Sequence, residues 1–328
     1  MEIGESPEPV LARGTVIVRV RAVALNHLDL WVRRGIPGLT LDLPHIGGSE
    51  AAGEIAAVGP GVSEWADGDR VVLNPSLWCG ECDFCSAGEE SLCRRFMVLG
   101  EHVKGAAAEL VRVPAQNLYR IPDSLPFAEA AATPLVFQTA WRALISRAGL
   151  KEGEVLLVTG ASGGVSTAAI QIGKWSGATV IAVTSGVDNC ARVRDLGADV
   201  VIDRNADDFR TAVRDATVRG KVDVVLDSVG EAMWPDLVRC LDNNGRIVTY
   251  GATTGHNASL DLRHVFWKQL QVIGTTMSSR AEFEVVMKHI GSGELRAVVH
   301  DTWDLARIAD AHRELEEGRV FGKLVLVP

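Results

Sequence analysis

The sequence predicts an α/β protein in two parts: a doubly wound parallel sheet in the second half, and a β-rich domain of another kind assembled from the beginning and the end of the chain. Three observations carry this. From about residue 154 onward, short β-branched runs alternate with helical stretches, and near-continuous apolar strands separated by helices mean a parallel sheet covered on both faces. A glycine-rich turn joins the first of these strands to the first helix. The opening of the chain instead alternates apolar with basic residues and is broken repeatedly by glycine and proline.

Taken in order, Thr15–Ala24 sets Val16, Val18 and Val20 against Arg19 and Arg21, the period-two pattern of a strand with one wet face. Glycines and prolines then recur from Gly35 to Gly61, as expected of a loop-heavy β domain. In the second half, residues 155–159 read as a buried strand, 165–175 as a helix, 179–183 as a strand, 188–196 as a helix and 200–202 as a strand. Residues 207–218 are again helical, 222–226 again a strand, and 233–241 with 246–250 supply one more helix and strand. The tail offers a helix at 283–290 and a last strand at 321–327 that return to the first domain.

Composition narrows the function classes. Of 328 residues, 47% are hydrophobic and 23% charged, ordinary for a folded globular protein. No apolar run approaches the ~20 residues of a membrane-spanning helix. Thirty-three Lys and Arg against 42 Asp and Glu leave a net charge of −9, which argues against a dedicated nucleic-acid or anionic-membrane binder. The opening Met1-Glu2-Ile3-Gly4-Glu5 has neither a basic nor an apolar region of a secretory signal, so a cytoplasmic location is expected.

The turn Thr159-Gly160-Ala161-Ser162-Gly163-Gly164-Val165-Ser166 sits between a strand and a helix, where a dinucleotide pyrophosphate binds. Gly160, Ala161, Gly163, Gly164 and Val165 are therefore candidate cofactor contacts. A nucleoside-triphosphate loop requires Gly-Lys ahead of its Ser or Thr, and Val165-Ser166 breaks that pattern. A short-chain dehydrogenase requires Tyr-x-x-x-Lys, yet Tyr119 and Tyr250 are followed at that spacing by Asp123 and Thr254. The second strand of the unit ends Thr184-Ser185-Gly186 with no carboxylate for a ribose 2′-hydroxyl, and Arg192 or Arg194 stands close enough in sequence to neutralise a 2′-phosphate. NADP(H) is favoured on this ground, with NAD(H) still open because Asp188 and Asp203 are also near.

Four of the six cysteines crowd into one segment, Cys79, Cys82, Cys85 and Cys93, spaced C-x₂-C-x₂-C-x₇-C. Four thiolates at such spacing close a tetrahedron around Zn²⁺ and leave no open position, which makes the ion structural. Ferredoxin-type runs end C-x₃-C-P, whereas here Arg94 follows a wider gap.

These two motifs together resemble the zinc alcohol dehydrogenases and quinone reductases of the medium-chain dehydrogenase/reductase superfamily. The likeness extends through Gly48-Ser49-Glu50-Ala51-Ala52-Gly53, Gly68-Asp69-Arg70-Val71 and Gly322-Lys323-Leu324-Val325-Leu326. It implies a GroES-like catalytic domain at 1–136 and 277–328, with the zinc lobe at 79–93, and a Rossmann cofactor domain at 137–276. It also implies homodimers or homotetramers and one structural zinc per chain. His27 matches a position that contacts the cofactor pyrophosphate, Thr139 one that packs under the nicotinamide, and Val229, Gly251 and Thr253 lie in loops around the nicotinamide and its ribose.

The resemblance also shows what is missing. Zinc-dependent members carry a cysteine ligand at the position of Asn26, a histidine at Ser49 and a second cysteine near Leu135 or Val136. Amide and hydroxyl are poor zinc ligands beside thiolate and imidazole. Alcohol oxidation relies on a Lewis acid to hold an alkoxide, whereas hydride addition to a quinone or enone places charge on a conjugated oxygen that hydrogen-bond donors can stabilise. The zinc-free quinone and enone reductases carry Asn where Asn26 stands. The expected activity is therefore NAD(P)H-dependent reduction of a quinone or activated C=C bond without a catalytic zinc, with Asn26 orienting the substrate carbonyl or the nicotinamide ribose. An alcohol or carbonyl dehydrogenase is the competing reading.

Overall fold

The computed structural model describes all 328 residues. The chain divides into two compact units, Met1–Gln138 with Ser278–Pro328, and Thr139–Met277.

The first unit begins with β1 (Thr15–Ala24), β2 (Glu50–Val58), β3 (Arg70–Leu73), the short β4 (Ser76–Leu77) and β5 (Met97–Val98), then β6 (Leu110–Pro114) and β7 (Leu118–Arg120). β1 is the hub, antiparallel to both β2 and β6, so Val18 faces Ile55 on one side and Val111 on the other. Its alternation has the expected outcome: Val16, Val18 and Val20 are buried while Arg19 and Arg21 reach solvent. Those valines join Leu30, Ile55, Val71, Leu73, Val111 and Leu326 in one core.

In the second unit, β8 (Val155–Val158), β9 (Thr179–Thr184), β10 (Val200–Asp203), β11 (Val222–Asp227), β12 (Leu241–Thr249) and β13 (Gln271–Gly274) form one sheet in the order β10-β9-β8-β11-β12-β13. Every pairing in it is parallel. The order reverses between β8 and β11, which is the switch point where such folds place a dinucleotide. Leu156, Leu157, Val180, Ile181, Val224 and Val225 have no exposed surface, as strands covered on both faces require. The last long strand starts at Leu241 rather than near residue 246, because it pairs with Val222 before a register shift and passes through Asn244 at φ 60°. The helix Leu262–Lys268 and strand β13 left no clear mark in the sequence, since both are short and largely exposed.

The chain then returns to the first unit as the helix Arg280–Ser292, β14 (Val299–Asp304), the helix Ile308–Glu316 and β15 (Lys323–Val327). β15 pairs antiparallel with the end of β1, Ala24 opposite Val325, completing the order β14-β15-β1-β2-β3-β7, with β6 on the same edge of β1 as β15 and opposite β2. Gly322 sits at φ 79°, and a Cβ there would lie 2.1 Å from the Val298 carbonyl oxygen, so only glycine lets the strand begin at Lys323. No helix is long and apolar enough to cross a membrane.

Candidate functional site

The sequence-singled residues fall into three places, two in the first unit and one in the second. The cysteine lobe is the simplest. Cys79, Cys82, Cys85 and Cys93 bring their sulfurs within 4.8 Å of one another, with Cys82 to Cys85 at 3.5 Å, Cys79 to Cys85 at 3.8 Å and Cys82 to Cys93 at 3.9 Å. A tetrahedron with Zn–S bonds of ~2.3 Å has S···S edges of about 3.8 Å, so the set fits the ion; the separations are far beyond a disulfide bond. Backbone N–H groups support it: those of Cys79 and Arg95 each donate to the Cys93 sulfur at 3.3 Å. Loop amides lower the Cys79 and Cys82 thiol pKa values, whereas burial pushes the Cys85 thiol up to about 12.

The second place lies where β1, β2 and β15 meet. Asn26 lies two residues past β1 and caps the helix His27–Arg34; it is 7% exposed, and its backbone N–H donates to Asp29 Oδ2 at 2.7 Å. Its side-chain Nδ2 donates to Glu50 Oε1 at 3.0 Å and more loosely to the Ala24 carbonyl at 3.4 Å. Its Oδ1 accepts from Lys323 Nζ at 2.6 Å. Lys323 Nζ also donates to the Leu25 carbonyl at 2.6 Å and to Glu50 Oε1, while Glu50 Oε2 accepts from the Leu135 backbone N–H at 2.6 Å. Glu50 and Lys323 are 0% and 3% exposed at their side chains. Burying such a pair is costly, and the cost is offset because all three ammonium protons and both carboxylate oxygens find partners.

Asp29 completes this centre, accepting from the Gly48 N–H at 3.0 Å. Burial raises its carboxyl pKa to about 6, against the opposing pull of the Asn26 N–H and the Lys323 charge. Ser49 Oγ is fully buried and has no hydrogen-bond partner. His27 opens the helix and is solvent-exposed.

The catalytic zinc of the resembled family does not fit these residues. Asn26 turns its oxygen to an ammonium group, Leu135 offers only a backbone N–H, and Ser49 offers one hydroxyl. A divalent cation placed here would meet Lys323 rather than thiolate or imidazole. The cysteine lobe is the place where His, Cys, Asp or Glu ligand atoms converge.

The third place is the glycine turn of the second unit. β8 ends at Val158, Gly160 takes φ +54°, and the helix Gly164–Trp175 begins directly after. The turn is tied to β9 by the Ala161 N–H on the Val183 carbonyl at 2.9 Å, which sets it beside Thr184 and Ser185. Without side chains at Gly160, Gly163 and Gly164, the helix N-terminus presents bare N–H groups, so the residues fit a pyrophosphate. Across the switch point, Asp227 gathers the neighbouring loops. It accepts from Thr159 Oγ1 at 2.6 Å, from the Val229 and Gly230 N–H groups at 3.1 and 3.0 Å, and from Trp234 Nε1 at 2.9 Å. Thr253 is held to the same cluster by its N–H and Oγ1, each 3.0 Å from the Ser228 carbonyl, and Gly251 passes close to Ser228. Thr139 is buried in the helix Pro134–Trp141.

Asp227 and Arg204 escaped the sequence reading here. Asp227 closes its strand directly after the apolar run Val224-Val225-Leu226, a local signal that was available. Arg204, just past β10, donates its Nε to Ser185 Oγ at 2.7 Å, so it reaches the β9 tip. Asp203 also reaches that tip, accepting the Gly186 N–H at 3.2 Å. Tyr250 is held by Ser166: because the Ser166 hydroxyl donates to the Thr159 carbonyl at 2.9 Å, the Tyr250 hydroxyl is the donor across the 3.1 Å contact. Burial raises its phenol pKa.

Comparison with known proteins finds relatives over nearly the whole chain. Two family models match, an alcohol dehydrogenase GroES-like domain over residues 12–123 and a zinc-binding dehydrogenase over residues 164–292. The acryloyl-coenzyme A reductase of Metallosphaera sedula is 31% identical over 326 residues, spanning 99% of this chain and 96% of the relative. An alcohol dehydrogenase of Geobacillus stearothermophilus is 30% identical over 328 residues, spanning 99% and 96%. Among solved structures, a NAD-dependent alcohol dehydrogenase at 42% identity superposes with a TM-score of 0.96, covering 99% of this chain and 95% of that one.

Proposed function

The chain belongs to the medium-chain dehydrogenase/reductases, zinc-type alcohol dehydrogenase-like, and from that premise we propose that it reduces a C=C bond conjugated to a carbonyl group, without a metal ion at the reacting centre. The observation that carries this reading is the Asn26–Glu50–Lys323 network, in which Asn26 stands at the position where zinc-dependent members of the resembled family carry a cysteine ligand. An alcohol substrate lacks a Lewis acid for its alkoxide there, whereas an enolate oxygen requires only aimed donors. When bound, NAD(P)H would supply the hydride for the β-carbon of the conjugated C=C bond; the carbonyl oxygen that takes up the π electrons is the atom the Asn26 amide would face, and solvent would return the proton at the α-carbon.

The chain's part is binding and orientation. Asn26 directs one Nδ2 proton firmly to Glu50; the other, on the 3.4 Å contact with Ala24, is the one a ligand oxygen takes over. The glycine turn would hold the pyrophosphate, and Asp227 fixes the loop carrying Val229. Ser185 with Arg204 supports NADP(H), since a hydroxyl and a guanidinium at the second strand tip suit a 2′-phosphate; Asp203 is the element that would instead support NAD(H). A CoA thioester of a short enoic acid is the favoured substrate class, supported by the acryloyl-coenzyme A reductase at 31% identity, with quinones as the alternative acceptors. A homo-oligomer belongs to the same reading, supported by the exposed Phe266 and Trp267 beside the edge strand β13.

The alcohol dehydrogenases among the relatives favour a second reading, oxidation of an alcohol. A spectrophotometric screen separates the two. NADPH and NADH oxidation is followed with enoyl thioesters, enones and quinones, and NAD(P)⁺ reduction with alcohols. Enoyl turnover that survives chelator supports the proposal; alcohol turnover lost to chelator and restored by zinc overturns it.

A further inference from the structure

β15 reads Lys-Leu-Val-Leu-Val, a single cation at the head of an apolar strand, and the β1–β15 pairing carries it to the catalytic centre. An ammonium group has three protons and no lone pair. Lys323 places all three, on the Leu25 carbonyl at 2.6 Å, on Asn26 Oδ1 at 2.6 Å and on Glu50 Oε1. With 3% of its side chain exposed, water does not compete for them.

This arrangement dictates which way the Asn26 amide faces. A carboxamide can present oxygen or nitrogen to a neighbour, and the two orientations are nearly equal in shape. A donor-only ammonium on one side and an acceptor-only carboxylate on the other remove that freedom: Oδ1 must face Lys323 and Nδ2 must face Glu50. Neither partner alone fixes the orientation as firmly, because Glu50 Oε1 is shared by Lys323 and Asn26.

We propose that Lys323 is a positioning residue that serves as the fixed cation of the reacting centre, orienting the Asn26 amide so that an Nδ2 proton is the group offered to a substrate oxygen. The claim rests on the reading of Asn26 as the substrate-orienting residue and adds to it the device that sets its direction. It differs from a plain charge-balancing role, in which Lys323 would merely neutralise Glu50.

The single variant Lys323→Met strands the Glu50 carboxylate in a dry site and tests folding more than function. The informative variant is Lys323→Met combined with Glu50→Gln, which removes both charges together while leaving Asn26 intact. With protein labelled with ¹⁵N at Asn and Lys, assigned by Asn26→Ala and by Lys323→Arg, the wild-type chain should show slowly exchanging Asn26 Nδ2 protons and a visible Lys323 ammonium cross-peak. The double variant should melt close to wild type, lose protection of the Asn26 amide protons, and lose kcat about 100-fold with its cofactor affinity unchanged, the size of effect expected for one misdirected donor. A double variant with wild-type kcat, or one whose Asn26 amide stays protected, overturns the proposal, as does a wild-type protein whose Lys323 ammonium protons exchange too fast to be seen. The spectra require no substrate, so a chain that shows both signals yet reduces no enoyl thioester, enone or quinone would refute the proposed reaction and leave the positioning role standing.

Discussion

Within one domain, the cysteine lobe and the Asn26 centre present opposite solutions to holding a charged site. At the lobe, Cys79, Cys82, Cys85 and Cys93 converge with sulfur separations that a zinc tetrahedron requires, on a loop with little core of its own. At the Asn26 centre, donors and acceptors satisfy one another directly: an ammonium, a carboxylate and an amide, packed among buried strands. The contrast sets a lobe whose donor set fits a metal ion against a wholly organic network in the same domain. A metal is needed where a loop lacks burial to order it; it is dispensable where backbone register already delivers the charges.

The most severe way to break the comparison is at the lobe. Cys82→Ser should lower zinc content from about one ion per chain to nearly none and open the 79–96 segment to limited proteolysis, with elemental analysis and mass-mapped digestion as the readouts. A protein that keeps its zinc would place the ion elsewhere. At the other centre, Asn26→Ala should reduce kcat about 100-fold while zinc content stays unchanged, since it removes a donor and leaves all four cysteines in place. A concomitant loss of metal would mean that the two sites are not independent.

A gentler test uses pH. Asp29 is held at a pKa of about 6, above the ordinary 3.8, so the folded state binds its proton more tightly than the unfolded chain does. Its contribution to stability is fully present below about pH 4 and is lost as pH rises through about 6. Urea unfolding across this range should show the stability advantage of wild type over Asp29→Asn shrinking by about 2 kcal/mol, then levelling; a constant difference would contradict the buried environment. The smallest expected effect is at Ser49, whose buried hydroxyl has no partner. Ser49→Ala should stabilise the apoprotein by about 1 kcal/mol in thermal or urea melts, because it removes a polar atom that folding leaves unsatisfied. Destabilisation would mean that the hydroxyl is bonded in solution.

Much of this was legible in the sequence because its physics is local. The alternation in Thr15–Ala24, the apolar strands of the second half and the glycine turn each depend on neighbours within a few residues. Four cysteines inside fifteen positions likewise declare a metal site without knowledge of the fold. Lys323 was invisible as a site residue because its partner Asn26 lies 297 positions away and is reached only through the register of β15 on β1. Arg204 was passed over for a similar reason: the contact with Ser185 joins two parallel strands whose tips are adjacent only in the sheet. The Asn26 position itself was found by resemblance, while its full hydrogen-bonding complement became evident from Glu50, Lys323 and Ala24 together.

The central claim is that the reacting centre operates on hydrogen bonds while the only bound metal stabilises the lobe. Zinc counting on the purified, cofactor-loaded protein, paired with turnover before and after chelation, tests it most directly. The account predicts one zinc per chain and enoyl reduction that continues as long as the fold persists. A second zinc, located by anomalous scattering beside Asn26 and Ser49 and required for turnover, would contradict it.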